Sequence, residues 1–290
     1  MAPFRLQNFP IRIGMQDRLA SLLNHFQLNA RVFHTGDLCN QASFEAAAGL
    51  GYLHVLKQGR LEVETPGRAS QQLTAPSLLF FMKPVSHRLH PRDPQGAELV
   101  CGSIDFGCGR GNPMAATTPC PIVISLAGQT QLLLTLELLF AEAFGQHCGR
   151  QTAMNRLCEL VVIHLLRHLM DRGEVSVGPL AGLADPRLAK ALNAMHDDPG
   201  HGWTLDHLAQ QAGMSRARFA VNFRQTVGMT AGDYLTQWRL ALAQTLLRKG
   251  KPVNLVAQEV GYSGPAALGR VFNARLGMSP GTWLREDGQG

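Results

Sequence analysis

The chain has 290 residues, of which 45% are hydrophobic, and a formal net charge of +6 at pH 7. That length suits two ordinary domains with a core each, and the apolar content excludes a disordered polyelectrolyte. Six cysteines without a C-x-x-C pair exclude a disulfide scaffold. The most apolar run, LLLTLELLFAEAF, carries Glu137 and Glu142 and is too short to cross a bilayer. The opening MAPFRLQNFP lacks a signal-peptide layout, so a cytoplasmic protein with no membrane partner is expected.

From about Arg31 to Leu126 the pattern predicts short β-strands and a small barrel or sandwich. GYLHVLKQGRLEVE reads as two alternating runs around a Gln58-Gly59 turn, a hairpin signature. If Lys57 faces water, then Tyr52, His54 and Leu56 share the inward face. SLLFFMKPVSHRLHP is a buried run stopped by Pro84, with His87 and His90 beyond it, and AELVCGSIDF is a further strand carrying Cys101. Cys101 on such a strand is either a small core residue or a reactive thiol.

Two helices are expected between Gln129 and Met170. The second is apolar on more than one side, through Leu157, Leu160, Val161, Ile163, Leu165, Leu166 and Leu169. Such a helix is buried on both sides or forms a homodimer contact. The Gly- and Pro-containing stretch 173–187 reads as a linker.

The next hundred residues carry one pattern twice. In WTLDHLAQQAG, Leu205, Leu208, Ala209 and Ala212 fall at i, i+3, i+4, i+7, with Thr204 placed to cap the helix and Gly213 to end it. In PVNLVAQEVG, Val253, Val256, Ala257 and Val260 repeat that spacing, with Gly261 closing. Each is followed by a second helix: Phe219, Phe223 and Val227 face inward in the first, Leu268, Phe272 and Leu276 in the second. This is the helix-turn-helix layout in duplicate. Arg216, Ala217, Arg218, Ala220, Val221 and Arg224 then lie on the outer face or flanks of one unit, and Ala266, Ala267, Arg270 and Asn273 on those of the other. Small side chains let a helix approach the major groove and touch thymine methyls, and an arginine binds a guanine edge with two hydrogen bonds. Arg216, Arg218 and Arg275 are placed for phosphates. Between Ser215 and Leu276 nine cations face only Asp233 and Glu259, a basic field suited to a polyanion. A helix of roughly 20 residues between the units spans about 30 Å, close to a duplex turn of about 34 Å.

The stretch WTLDHLAQQAGMSRARFAVNFRQTVGMTAGDYLTQWRLALAQTLL followed by VAQEVGYSGPAALGRVFNARLGMSPGTWLR resembles the AraC/XylS class of bacterial regulators. The resemblance covers 188–286 and includes the G-Y, R-x-F and G-x-S-P signatures. Leu268 stands where the family usually has Phe, and Asn273 where Lys is common; the second departure removes a phosphate contact. The N-terminal half is similar to the cupin-type sensor halves of such regulators, and HVLKQGRLEVETPGRASQQLTAPSLLFFMKPVSHRLHP with ELVCGSI resembles the reactive-chlorine-sensing subgroup. That resemblance makes Cys101 the candidate redox thiol, with Cys39, Cys108 and Cys120 open as partners. His54, His87 and His90 are candidates for an effector pocket, for structural roles or for a metal. Leu56 breaks the H-x-H that metal-binding cupins normally show, and no cofactor is fixed by the residues.

The resulting expectation is an α+β chain with a cupin-like β-barrel and helical segment (1–172), a linker (173–187) and an all-α DNA-binding domain of two helix-turn-helix units joined by a long helix (188–286). It implies a transcription regulator that is not an enzyme, with promoter DNA, RNA polymerase and a small-molecule or oxidant effector as partners. The alternative is a cupin-type metalloenzyme tethered to DNA.

Overall fold

The computed structural model describes residues 17–47, 49–107, 120–126, 129–173 and 175–287. A short helix, α1 (Ala20–His25), leads into two antiparallel sheets. The first has the order β1 (Asn29–Leu38), β8 (Ala97–Asp105), β3 (Leu50–Gln58), β6 (Ser77–Phe81), β9 (Ile122–Ser125). The second runs β2 (Ala42–Phe44), β7 (His87–Pro91), β4 (Arg60–Glu64), β5 (Gln71–Thr74).

Strand parity divides the apolar residues of the first sheet between two cores. Leu79, Phe81, Leu99, Cys101 and Leu56 face the second sheet and pack with its Leu61, Val63, Leu73 and Leu89. Leu53, Val55, Leu78, Phe80, Val100 and Ile104 face the other way, onto α2 (Thr130–Phe144) and α3 (Arg150–Arg172). The central strands are therefore buried on both faces, which is why SLLFF shows no alternation.

Gln58-Gly59 does not close a hairpin. β3 pairs with β6 and β8, whereas β4 pairs with β5 and β7, so the chain changes sheets at Gly59. Gly59 has φ +92°, and a Cβ there would lie 2.9 Å from the Gly96 carbonyl oxygen. A glycine that tight-turns a hairpin and one that turns a barrel corner look alike in sequence.

The segment expected to be a linker is instead packed structure. α4 (Pro179–Ala184) buries Leu180 and Leu183 completely. Gly182 brings it against Leu192 and Val227, the Gly178 N–H donates to the Thr226 carbonyl at 2.8 Å, and Arg18 donates to the Leu183 and Ala184 carbonyls at 3.1 and 2.7 Å. Gly and Pro here cap and start a helix rather than loosen the chain.

The remaining helices are α5 (Leu188–Asp197), α6 (Leu205–Gln211), α7 (Arg216–Val227), α8 (Ala231–Arg248), α9 (Val253–Glu259), α10 (Pro265–Leu276) and α11 (Pro280–Asp287). The core under α2 and α3 runs on without a break through α4 and α5 into α6, α7 and the first half of α8. α9, α10 and the rest of α8 enclose a separate core around Val256, Leu268, Phe272 and Trp283.

Candidate functional site

The two helix-turn-helix units form as the spacing predicts. The Thr204 hydroxyl accepts the His207 N–H at 3.2 Å to start α6, and Gly213, at φ +60°, turns the chain toward α7. The Ser215 hydroxyl accepts the Arg218 N–H at 3.4 Å, and Gly228 ends α7 in the left-handed region. In the second unit Gly261, at φ +82°, makes the corresponding turn, and Pro265 occupies the first turn of α10, where its missing N–H costs nothing.

Phe219, Phe223 and Val227 are wholly buried, as are Leu268 and Phe272. On the opposite face Arg216, Ala217, Arg218, Val221 and Arg224 are exposed and Ala220 half-buried; Ala266, Arg270 and Asn273 are exposed and Ala267 half-buried. Val221 is 57% exposed, an apolar side chain held at the front of α7 with nothing covering it. Neither helix has an acid in its first turn. α8, which joins the units, has 18 residues and spans about 27 Å.

Arg275 is not free for a phosphate. Its guanidinium lies 2.6 Å from Asp233 Oδ1, tying the end of α10 to the start of α8. Asp233 also accepts the Thr230 hydroxyl at 2.7 Å while Thr230 accepts the Asp233 N–H at 3.1 Å, a reciprocal cap. The Thr230 hydrogen bond, with Arg275 beside it, holds this carboxyl below the usual range. Arg216 is 3.4 Å from Asp206, with both side chains largely in solvent.

In the N-terminal half, His54 points inward from β3 and is 1% exposed, as parity requires. Its Nε2 lies 2.8 Å from Nε2 of His87, and the His87 Nδ1–H donates to the Val85 carbonyl at 2.8 Å. That bond fixes the tautomers: His87 accepts through Nε2, so His54 donates from Nε2 and keeps a bare Nδ1. Burial, with His87 and His34 adding to it, pushes His54 well below the ordinary histidine value, and burial lowers His87 too. The His87 ring is stacked between Phe81, 3.9 Å away, and Phe44, 4.9 Å away.

His90 does not join them. Three residues past His87 on the same strand, it faces outward, with Nε2 3.1 Å from Glu64. Among the described residues no group of three metal-ligating side chains converges. Cys101 sits in register between His34 and His54 but is 1% exposed, and burial pushes its thiol up, so it stays protonated. A redox sensor needs an accessible thiolate, and Cys101 is a core residue in this state. Cys120 is buried with its thiol likewise raised, Cys39 is exposed, and Cys108 lies outside the described residues.

A cleft of about 500 Å³ opens beside this histidine pair, lined by Ser43, Phe44, Glu64, Arg68, Ser86 and His87 among others. Phe44, Arg68 and Glu64 were not legible as site residues. Phe44 ends a strand of three residues, too short for alternation to register, and Arg68 lies on a polar loop.

A Cupin family model matches residues 17–171, and a Helix-turn-helix domain model matches 208–286. An AraC-like transcription regulator of Streptomyces antibioticus is 43% identical over 131 residues, covering 44% of this chain and 43% of that protein. The chain thus spans less than half of that relative's length. An uncharacterized HTH-type transcriptional regulator of Haemophilus influenzae is 28% identical over 83% of this chain and 88% of its own length. The RCS-specific HTH-type transcriptional activator of Escherichia coli K12 is 27% identical over 79% and 82%. A two-sheet sensor half with a cupin match, followed by two helix-turn-helix units matching such regulators, places this chain in the AraC family of transcriptional regulators with an N-terminal cupin domain.

Proposed function

We propose that the chain reads promoter DNA with the outer faces of α7 and α10 and answers to a small polar molecule bound in the cleft at His87. The observation that carries this reading is the pairing of a wholly buried apolar face with a solvent face of cations and small residues, repeated on two helices along one α8. Arg224 and Arg270 take guanine edges, and Ala217, Ala220, Val221, Ala266 and Ala267 take thymine methyls and close approach. Arg216 and Arg218 meet phosphates, and Asn273 completes the face of α10. Arg68, Ser43 and Ser86 give the cleft hydrogen-bonding groups for a polar effector, and the stacked His87 ring, its two nitrogens taken by Val85 and His54, forms part of the wall.

The work of this chain is binding rather than catalysis, in the cytoplasm, with RNA polymerase as the downstream partner. The homodimer contact falls on α2 rather than on α3, whose Val161, Leu165, Leu166 and Leu169 are buried within the chain: a second copy covers Leu134 and Leu138, one helical turn apart and 58% and 59% exposed.

The test compares affinity for the protein's own promoter with that for random duplex at several salt concentrations. We expect tight, salt-dependent binding to one operator. Arg270→Ala should weaken it by about 1–3 kcal/mol and relax preference at one base pair. Equal affinity for promoter and random DNA overturns the reading.

A further inference from the structure

The two DNA-reading units have separate hydrophobic cores, the first shared with the sensor half and the second its own. A shared core therefore does not set the angle between them; α8 and the contacts across its flank do. Beside the exposed Arg275–Asp233 pair at the start of α8, the structure gathers three of those contacts at Arg239, in the middle of α8. Its Nε donates to the Pro199 carbonyl at 2.7 Å and its Nη2 to the His201 carbonyl at 2.9 Å, both in the turn that precedes α6. The same guanidinium lies over the Tyr262 ring, 5.6 Å from its centre, in the turn between α9 and α10.

The two turns also touch through their backbones. A Cβ on Gly261 would come within 2.9 Å of the Gly200 Cα, of the Gly200 oxygen and of Arg239 Nη2. One on Gly200 would meet the Glu259 carbonyl at 3.3 Å. The turn at 198–203 is held from its other side by the Trp203 Nε1–H, which donates to the Asp198 carbonyl at 2.8 Å. A planar fork that satisfies two fixed carbonyls while stacking on a ring has little freedom left.

We infer that Arg239 is a positioning residue: together with the Gly200–Gly261 contact it clamps the second reading unit to the first and so sets the spacing of operator sub-sites the protein accepts. This rests on the reading of α7 and α10 as the DNA-contacting helices. Inserting one base pair between the two sub-sites displaces the second by about 3.4 Å and rotates it by roughly 34°. A rigidly clamped pair of units cannot follow that change, whereas a loosened pair can.

Two measurements on the full chain test this. First, nitroxide amino acids are placed at the exposed positions 225 on α7 and 274 on α10, and the distance between them is read by pulsed electron spin resonance without DNA. We expect a narrow distribution that broadens in Arg239→Ala and narrows again in part in Arg239→Lys, which keeps the charge but not the fork. Second, an operator selected from random duplex is compared with the same operator carrying a one-base-pair insertion. Wild type should lose at least about tenfold in affinity, the order of one base mismatch or more, and Arg239→Ala should lose several-fold less. A variant that is merely less stable binds every duplex worse and leaves the insertion ratio at the wild-type value, which overturns the proposal. An unchanged distance width overturns it as well. If the wild type enriches no sequence, the DNA-reading function fails instead, and the distance measurement still judges the clamp.

Discussion

His196 on α5 is a residue whose environment sets its behaviour completely. It is fully buried, stacked on Trp238 at 3.7 Å, and its Nε2 lies 2.7 Å from the Tyr234 hydroxyl. Burial, with His25 nearby, pushes its pKa down to about 3. The folded protein therefore holds this ring neutral at pH values where the unfolded chain, with a histidine near its ordinary value of about 6.5, takes up a proton. Stability from this site is complete above that value and is lost as pH falls from about 6.5 toward 3. At pH 5 the loss is about 2 kcal/mol. His54 and His87, also lowered, act with the same sign. We expect urea unfolding, followed by tryptophan fluorescence at pH 7.5 and pH 5, to show a drop in the wild type. His196→Phe should drop by about 2 kcal/mol less; an equal drop in both would assign the acid sensitivity elsewhere.

At the scale of elements, the second reading unit stands on its own core, and damage there should stay there. Phe272→Ala removes a fully buried ring from that core at a cost of about 3–5 kcal/mol. Hydrogen exchange should rise in α9, α10 and α11 while α6 and α7 keep wild-type protection. Phe223→Ala, in the core shared with the sensor half, should raise exchange in α4 and α5 as well. These two units were legible because their apolar spacing, caps and closing glycines all agree, from Thr204 and Gly213 to Pro265 and Gly277. Three other features were not. Gln58-Gly59 has the composition of a hairpin, and only pairing partners reveal that it moves the chain between sheets. α4 is short and rich in Gly and Pro, so its burial comes from Leu192 on the next helix and from Val227, which is distant in sequence. His87 and His90 look alike in sequence, and strand parity alone turns one inward to His54 and the other to Glu64 on the opposite face of the strand.

Across the whole molecule, the sensor half reaches the DNA-reading half through α1. Phe26, just after α1, meets the Trp238 ring edge-on at 4.8 Å, and His25 meets it at 5.9 Å. Ser21 bonds Asp197, and the Thr245 hydroxyl on α8 donates to the Gly107 carbonyl just past β8 at 2.8 Å. Phe26→Ala should therefore lower the thermal stability of α8 although residue 26 belongs to the other half. The check is exchange protection at Trp238 and Ala241, which should fall together with that of β1. Independent melting of the two halves, with α8 unaffected, would contradict this. The buried α4 bears on how such a protein can be divided. Severing the chain just after α4, at 185–187, would leave Leu180 and Leu183 facing water on one fragment and strip the packing from Val227 on the other. The junction is a keystone rather than a tether, and a chimaera that joins this sensor to a foreign reader must carry α4 and its seat together, or neither half will hold its shape.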